Sequence, residues 1–508
     1  MAQARQHPAV AMFKKMLIAN RGEIACRVMQ TARKMGIATV AIYSDADRTA
    51  RHVRMADEAH WIGPSPVAES YLNVDAIIDV CRRADVDALH PGYGFLSENA
   101  EFAQALSRAG VVFIGPGGDA IRAMGDKITS KGIASNAGVD TIPGSDDVIR
   151  DADHAVEIAR TVGYPVMIKA TAGGGGKGMR VAASDAECRT GFDRASSEAL
   201  TSFGDERVFI EKFISSPRHI EVQVLADKHG NIVHLGEREC SLQRRHQKVI
   251  EEAPSHFLDE ATREAMGAQA VLLAGAVDYV SAGTVEFIVD ANRNFFFLEM
   301  NTRLQVEHPV TEFVTGLDLV ELMIRIAADE RLPVKQSDVR LEGWSMEARI
   351  YAEDPLRDFM PSTGRLRTYR PPVLGDDLRL DTGVDEGSEV SVYYDPMIAK
   401  LISFGADREK AATRLSSALD EFSLEGVKHN IRFLQCLLNH QRFREGAIST
   451  HFIDEEFEDG FGPRSQYLAH PEPSLLIAVA ACLHTIEQRS AQSLVGSVLD
   501  CSSSLNQN

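Results

Sequence analysis

Two glutamates, Glu286 and Glu299, flank a stretch of turn residues, and the segment that follows carries Asn301, Arg303, Gln305 and Glu307. Val285 to Val289 and Phe295 to Glu299 read as the strands of a β-hairpin, with Asp290-Ala291-Asn292-Arg293-Asn294 as its turn. A symmetric turn about Asn292 and Arg293 puts Glu286 directly opposite Glu299. Like charges in that position repel. A hard divalent cation is their natural counter-ion, with Asn301 as a further oxygen ligand. Arg303, Gln305 and Glu307 alternate, so an extended segment would point all three the same way. A carboxylate pair beside a fixed cation and an acid–base group reads as a reaction site.

The elements that position this hairpin belong to a large chain. Its 508 residues predict several domains. With 44% apolar and 25% charged residues, the composition supports sizeable cores. Lys plus Arg number 54 against 73 Asp plus Glu, a balance of −19 that excludes nucleic acid or an anionic membrane as the main partner. The seven cysteines, at 26, 81, 188, 240, 436, 482 and 501, form no C-x-x-C pair, which fits a reducing compartment and indicates no zinc site. No apolar run reaches the length of a membrane span. The basic segment Met1 to Lys15 lacks an apolar signal core, so the expected location is cytoplasmic, or the mitochondrial matrix in a eukaryote.

Along the chain, Met16 to Ile18 is an apolar strand leading to a helix whose buried stripe is Ile24, Val28, Ala32 and Met35. Thr39 to Tyr43, Ala88 to His90 and Val111 to Ile114 are further strands, and their alternation with helices predicts a parallel sheet in residues 16 to about 130. The turn after Ile18 has one glycine, too few for a dinucleotide site. Helices are expected from Gly125-Asp126-Lys127 and over Asp151 to Val162, the latter stopped by Gly163.

Five of the six residues Gly173 to Gly178 are glycine, between the strands ending at Lys169 and beginning at Met179. Such a backbone can wrap its N–H groups around phosphate. Strand–loop–strand context and the absence of Ser or Thr after Lys177 exclude the dinucleotide turn and the Walker loop, leaving a flap over nucleotide phosphates. Val208 to Ile214 and the alternating Pro217 to Ala226 are strands. Gln243 to Lys248 is a basic run able to hold anions beside the acidic hairpin. Residues from Gly343 onward look antiparallel, with a strand over Val392 to Lys400 and a helix over Arg408 to Phe422.

Residues 16 to about 455 resemble biotin carboxylase, an ATP-grasp enzyme. The resemblance rests on Ile18-Ala19-Asn20-Arg21-Gly22-Glu23-Ile24-Ala25, His90 to Glu98, Lys169 with its glycine loop, Gln243 to Lys248, and Glu299 to Glu307. Tyr393 to Met397, His429-Asn430-Ile431 and Gly460-Phe461-Gly462 look most like the α subunits of propionyl-CoA-type acyl-CoA carboxylases. The resemblance implies an α/β fold in three parts. These are an N-terminal parallel-sheet domain (16–130), an ATP-grasp domain with a glycine-rich lid (131–340, lid about 141–213) and a mainly antiparallel α+β domain (341–455). It also implies a reaction in which ATP phosphorylates bicarbonate and biotin takes up the released CO₂. Glu286, Glu299 and Asn301 would hold magnesium or manganese. Lys127, Lys169, Gly175, Gly176 and His246 would bind ATP phosphates or ribose, with Glu211, Lys212, Phe213, Ile214 and His219 completing the nucleotide pocket. Lys248, Arg303 and the Val306 backbone would hold bicarbonate, Glu307 would be the base, and Arg349 would stabilise a biotin enolate.

Carboxylase α subunits of this kind continue into a linker domain and a biotin carrier with a Met-Lys-Met sequence, which does not occur here. Residues 465–508 read as the start of that linker followed by a polar tail. Biotin is therefore expected on another chain or on a missing domain. A carboxyltransferase β subunit and a homo-oligomer or α/β complex are the other implied partners. Two other classes share part of the pattern: another carboxylate-activating ATP-grasp ligase, and a non-catalytic truncated partner of a full carboxylase.

Overall fold

The computed structural model describes residues 12–145, 148–171, 179–458, 460–462 and 481–485. The glycine loop, including Gly175 and Gly176, and nearly all of 465–508 lie outside them.

Strands β1 (Lys15–Ile18), β2 (Ala38–Ser44), β3 (Glu58–Gly63), β4 (Ala88–His90) and β5 (Val112–Phe113) form one parallel sheet in the order β3-β2-β1-β4-β5. The sequence showed four of them. The fifth, β3, reads Glu-Ala-His-Trp-Ile-Gly and has too few apolar positions to stand out. The helix Gly22–Lys34 buries Ile24, Val28 and Ala32 against β1 and against the helix Leu319–Ala327. This packing ties the first sheet to the rest of the molecule.

The strands β6 (Val166–Ala170), β7 (Met179–Ala182) and β8 (Val208–Lys212) make a small antiparallel sheet, covered by the helices Ala152–Val162 and Asp185–Phe203. Asp151 caps the first of these helices, and Gly163, at φ 84°, ends it in a conformation that suits glycine.

Eight longer strands follow, beside three short two-stranded pairs: β9 (Arg218–Ala226), β10 (Ile232–Arg244), β11 (Gln247–Ala253), β12 (Ser281–Val289), β13 (Phe295–Asn301), β14 (Trp344–Tyr351), β15 (Leu378–Thr382) and β16 (Met397–Gly405). They form a single antiparallel sheet, β13-β12-β9-β10-β11-β14-β16-β15. Its hydrogen bonding runs without a break from β11 to β14, across residue 341. Strand β16 starts at Met397; Val392 to Pro396 is irregular rather than extended.

One face of β9 and β12 is apolar. Ile220, Val222, Val224, Val285, Phe287 and Val289 pack on Met266, Ala270 and Leu273 of the helix Glu260–Ala276. By the pleat, His219, Glu221, Gln223, Thr284 and Glu286 face the other way.

The hairpin pairs Glu286 with Glu299, but not through the symmetric turn expected. Phe287 faces Phe297, Ile288 faces Phe296 and Val289 faces Phe295, which centres the turn on Asn292. A bulge at Leu298 then shifts the register by one residue. Its consequence is chemical. Phe295 and Phe297 face the core, so straight alternation would send Glu299 there as well. The extra residue resets the phase, so Met300 enters the core while Glu299 and Asn301 turn to the polar face.

Phe287 is fully buried and meets Phe295 edge-on, with ring centroids 5.6 Å apart. Phe287→Ala is expected to cost about 3–5 kcal/mol in denaturant titration. A loss under about 1 kcal/mol would show that the hairpin does not depend on this face.

Candidate active site

In-register pairing lines up four charged side chains on neighbouring strands: Glu299 on β13, Glu286 on β12, Glu221 on β9 and Arg238 on β10. Three adjacent carboxylates repel strongly in a buried setting, so their partners define the site. Arg238 is fully buried. It donates to Glu221 at 2.6 Å, Gln223 at 2.7 Å, Thr311 at 2.9 Å, Thr284 at 3.1 Å and Gln305 at 2.5 Å. The Lys248 ammonium reaches over from β11 and donates to Glu221 at 2.5 Å, Glu286 at 3.1 Å and Glu307 at 2.5 Å. The Gln243 amide donates to His219 Nδ1 at 2.7 Å, which leaves Nε2 facing Glu286 Oε2 at 2.8 Å.

The segment after the hairpin is not an extended strand. Thr302 to Val306 is a loop, and Glu307, at φ −79° and ψ 11°, caps the helix His308–Thr315. Arg303, Gln305 and Glu307 still converge on one cavity, because each is held separately. Glu98 accepts from Thr302 N at 3.0 Å and from Arg303 Nε at 2.8 Å. Arg303 also donates to Asn301 at 2.8 Å. Gln305 donates to Glu286 at 2.8 Å. Glu307 receives Lys248 on Oε1 and Arg349 on Oε2, the latter at 2.9 Å. Arg349 Nε donates to Glu251 at 2.6 Å.

Every predicted site residue that the structure describes lines one cavity of about 1070 Å³, whereas Glu221, Arg238, Glu98 and Glu251 do not reach its lining. Lys127, Lys169, Glu211, Lys212, Phe213, Ile214, His219 and His246 form one side of it. Lys127 opens the helix Lys127–Asn136, capped by Asp126. Glu211 on β8 is clasped by Lys169 at 2.7 Å and Lys131 at 3.1 Å. The Lys212 ammonium instead donates to the carbonyls of Gly163 at 2.7 Å and Tyr164 at 3.1 Å. His246, at φ 64°, sits at the β10–β11 turn. The neighbouring Arg245 lines the cavity while pairing with Asp358, whereas Arg244 lies off its lining and pairs with Glu353, so only part of the basic run serves the cavity.

Charge is distributed unevenly over the acid row. Burial raises the Glu286 carboxyl, but Lys248 and His219 outweigh it and hold Glu286 far below the usual range. Burial also opposes ionisation of Glu307, and Lys248, Arg349 and Arg238 overcome it. Glu299 is different. Burial, then Glu286, push its carboxyl upward, and among the described residues no side chain or backbone group donates to it. A carboxylate without a partner beside an ionised one is the donor set of a cation site. Oxygens of Glu286, Glu299 and Asn301 fit a hard divalent ion, although Asn301 Nδ2 now donates to Glu286 at 2.8 Å.

Glu221, Arg238, Lys131, Glu98, Glu251 and Lys400 have places here that the sequence reading did not assign. The alternation of His219, Glu221 and Gln223 with Ile220 and Val222 was the legible sign for Glu221. A lone Lys400 amid Met397-Ile398-Ala399 and Leu401-Ile402 was another. Nothing local marks Arg238, whose partners come from four other segments: β9, β12, the loop before Glu307 and the helix after it.

Three family models match the chain: "Biotin carboxylase, N-terminal domain" over residues 12–121, "Carbamoyl-phosphate synthase L chain, ATP binding domain" over 126–335, and "Biotin carboxylase C-terminal domain" over 347–455. The propionyl-CoA carboxylase α chain of Ruegeria pomeroyi is 58% identical over 498 residues, covering 94% of this chain and 72% of that one. The human mitochondrial propionyl-CoA carboxylase α chain is 57% identical, covering 96% of this chain and 66% of its own length. The chain thus spans about two thirds of these relatives. Among solved structures, the biotin carboxylase domain dimer of Hydrogenobacter thermophilus 2-oxoglutarate carboxylase, with MgADP, ADP and bicarbonate, superposes with a TM-score of 0.85 at 46% identity, covering 91% of this chain and 100% of that one. Campylobacter jejuni biotin carboxylase, as a β–γ-ATP complex, gives 0.85 at 44% identity over 87% of this chain and 99% of that one.

Two substitutions test the site's layout. Glu299→Gln should raise the magnesium concentration for half-maximal ATP turnover by about tenfold or more, on the order of one charged ligand interaction; an unchanged magnesium requirement would remove Glu299 from the cation site. Arg238→Met takes from buried Glu221 one of its two cations and leaves the buried oxygens of Gln223 and Gln305 without their donor, and should cost about 3–5 kcal/mol of stability, measured by denaturant titration; a change under about 1 kcal/mol would contradict the role given to Arg238.

Proposed function

The chain belongs to the biotin carboxylase family, and from that premise we propose how its residues divide the ATP- and bicarbonate-dependent carboxylation of biotin. The observation that carries the reading is the placement of Glu307. Its two oxygens take separate cations, Lys248 and Arg349, in the cavity that also holds Arg303, Glu286 and Glu299.

Lys127, Lys169, His246 and the Gly175 and Gly176 backbone bind the ATP phosphates or ribose, and Glu211 to Ile214 with His219 shape the rest of the nucleotide pocket. Magnesium or manganese on Glu286, Glu299 and Asn301 would neutralise charge on the transferring phosphoryl group. Lys248, Arg303 and the Val306 backbone hold bicarbonate, whose planar oxygens suit a guanidinium fork. Arriving bicarbonate competes for Lys248. As that cation turns to the new anion, Glu307 becomes a stronger base and can take the bicarbonate proton. ATP then transfers its γ-phosphoryl group to the oxyanion and ADP leaves; the carboxyphosphate divides into CO₂ and phosphate, the phosphate takes the biotin N1 proton, and CO₂ adds to N1. Arg349, always charged, meets the oxyanion that develops on biotin, and Glu251 fixes its orientation.

We propose further that this is the first half-reaction of a propionyl-CoA-type acyl-CoA carboxylase. Biotin is presented by a carrier domain, and a carboxyltransferase β subunit chooses the acyl-CoA within a homo-oligomer or an α/β complex. A cytoplasmic site, or the mitochondrial matrix in a eukaryote, accords with those partners. The names and extent of the relatives support this assignment.

Labelled bicarbonate, MgATP and a separate biotin carrier should yield carboxybiotin with this chain. Arg303→Ala should lower kcat/KM for bicarbonate by about 100-fold, and Glu286→Gln should impair metal-dependent turnover. ATP hydrolysis indifferent to both biotin and bicarbonate would refute the reading.

A further inference from the structure

Lys400 lies within β16 between Ala399 and Leu401, and all three residues are fully buried. A buried ammonium needs an oxygen for each of its three N–H bonds. Around Lys400 one hydrogen-bond acceptor and two carboxylates come from three separate parts of the chain. It donates to the Val306 carbonyl at 2.8 Å, lies 3.3 Å from Glu23 at the start of the first helix, and lies 3.7 Å from Asp381 on β15. Glu23 is held in turn by the Tyr93 hydroxyl, from the loop after β4. Burial disfavours the charge on Lys400, but Glu23, Glu347 and Asp381 more than restore it, so the lysine stays an ammonium.

The Val306 carbonyl belongs to the peptide that joins Val306 to Glu307. Fixing this oxygen fixes the peptide plane, and with it the direction in which the Glu307 side chain leaves the backbone. We propose that Lys400 is a positioning residue for the reaction: it anchors the peptide before Glu307, so that the Val306 backbone and the Glu307 carboxylate present a set geometry to bicarbonate. Lys400 is not among the cavity-lining residues and touches no reacting atom. The inference rests on the reading of Glu307 as the base.

The test uses the full chain with MgATP, biotin and bicarbonate. Lys400→Met should lower kcat/KM for bicarbonate by about tenfold or more, the scale of a hydrogen bond to a charged donor. The KM for ATP should stay within about twofold. Lys400→Arg, which keeps the charge and a donor, should recover part of the loss. Removing one member of a buried charge cluster can unfold a protein. Glu23→Gln and the charge-compensated pair Glu23→Gln with Lys400→Met are therefore compared in parallel, and the pair should show the same selective bicarbonate defect relative to Glu23→Gln alone. A folded Lys400→Met or paired variant with bicarbonate kinetics within twofold of its parent overturns the proposal. So does an equal loss of ATP and bicarbonate affinity, which is the mark of a merely structural lysine. Wild-type turnover that ignores bicarbonate would overturn the family reading and this inference together.

Discussion

Three carboxylates, Glu221, Glu286 and Glu307, stand within hydrogen-bonding reach of a single ammonium, Lys248. Brought together in that enclosed space without it, they would repel one another strongly. The acids come from β9, from β12 and from a helix cap, and the lysine from β11, so one side chain joins four segments. Arg238 completes the cluster from below by bonding Glu221 and Gln305. The polar face of the long sheet is thus a charge lattice, whereas its other face is an ordinary apolar core.

This lattice makes the cavity responsive to anions. Lys248 and Arg349 have protein carboxylates as partners, and each has donors that an arriving bicarbonate or oxyanion can recruit. Glu299 has the opposite deficit, a carboxylate with no donor among the described residues, beside an ionised neighbour. One end of the cavity therefore wants a cation and the other releases cations to an anion. On the proposed division of the site, metal–nucleotide and bicarbonate would be drawn to adjacent places by the same row of residues, which is the arrangement that phosphoryl transfer between them requires.

The supports for the catalytic loop come from distant sequence. Glu98 follows β4 of the parallel sheet, Arg238 comes from β10, and Lys400 from β16 beyond residue 341. Residues 302–307 need no regular secondary structure because side chains from all three regions hold them. A loop positioned by a rigid scaffold is where reacting groups commonly lie. The unbroken hydrogen bonding between β11 and β14 serves the same end, since it fixes Lys248 and Arg349 in one frame.

Much of this was legible in the chain before any coordinates. The parallel first sheet, the hairpin with facing glutamates, the basic run and the lid strands follow from local patterns of two- and 3.6-residue period, together with glycine and turn chemistry. Other features were not legible, for a consistent reason. The Leu298 bulge, which sends Glu299 to the cavity rather than the core, leaves no mark in composition; only pairing against β12 reveals it. The expected strand through Arg303, Gln305 and Glu307 proved to be a loop and a helix cap, because long-range hydrogen bonds outweighed local alternation. Residue types and local spacing determined which chemical groups this protein has. Tertiary structure decided their partners, since a hydrogen bond between β16 and the residue 306 carbonyl or an ion pair between β10 and residue 221 depends on register and packing that no single segment encodes.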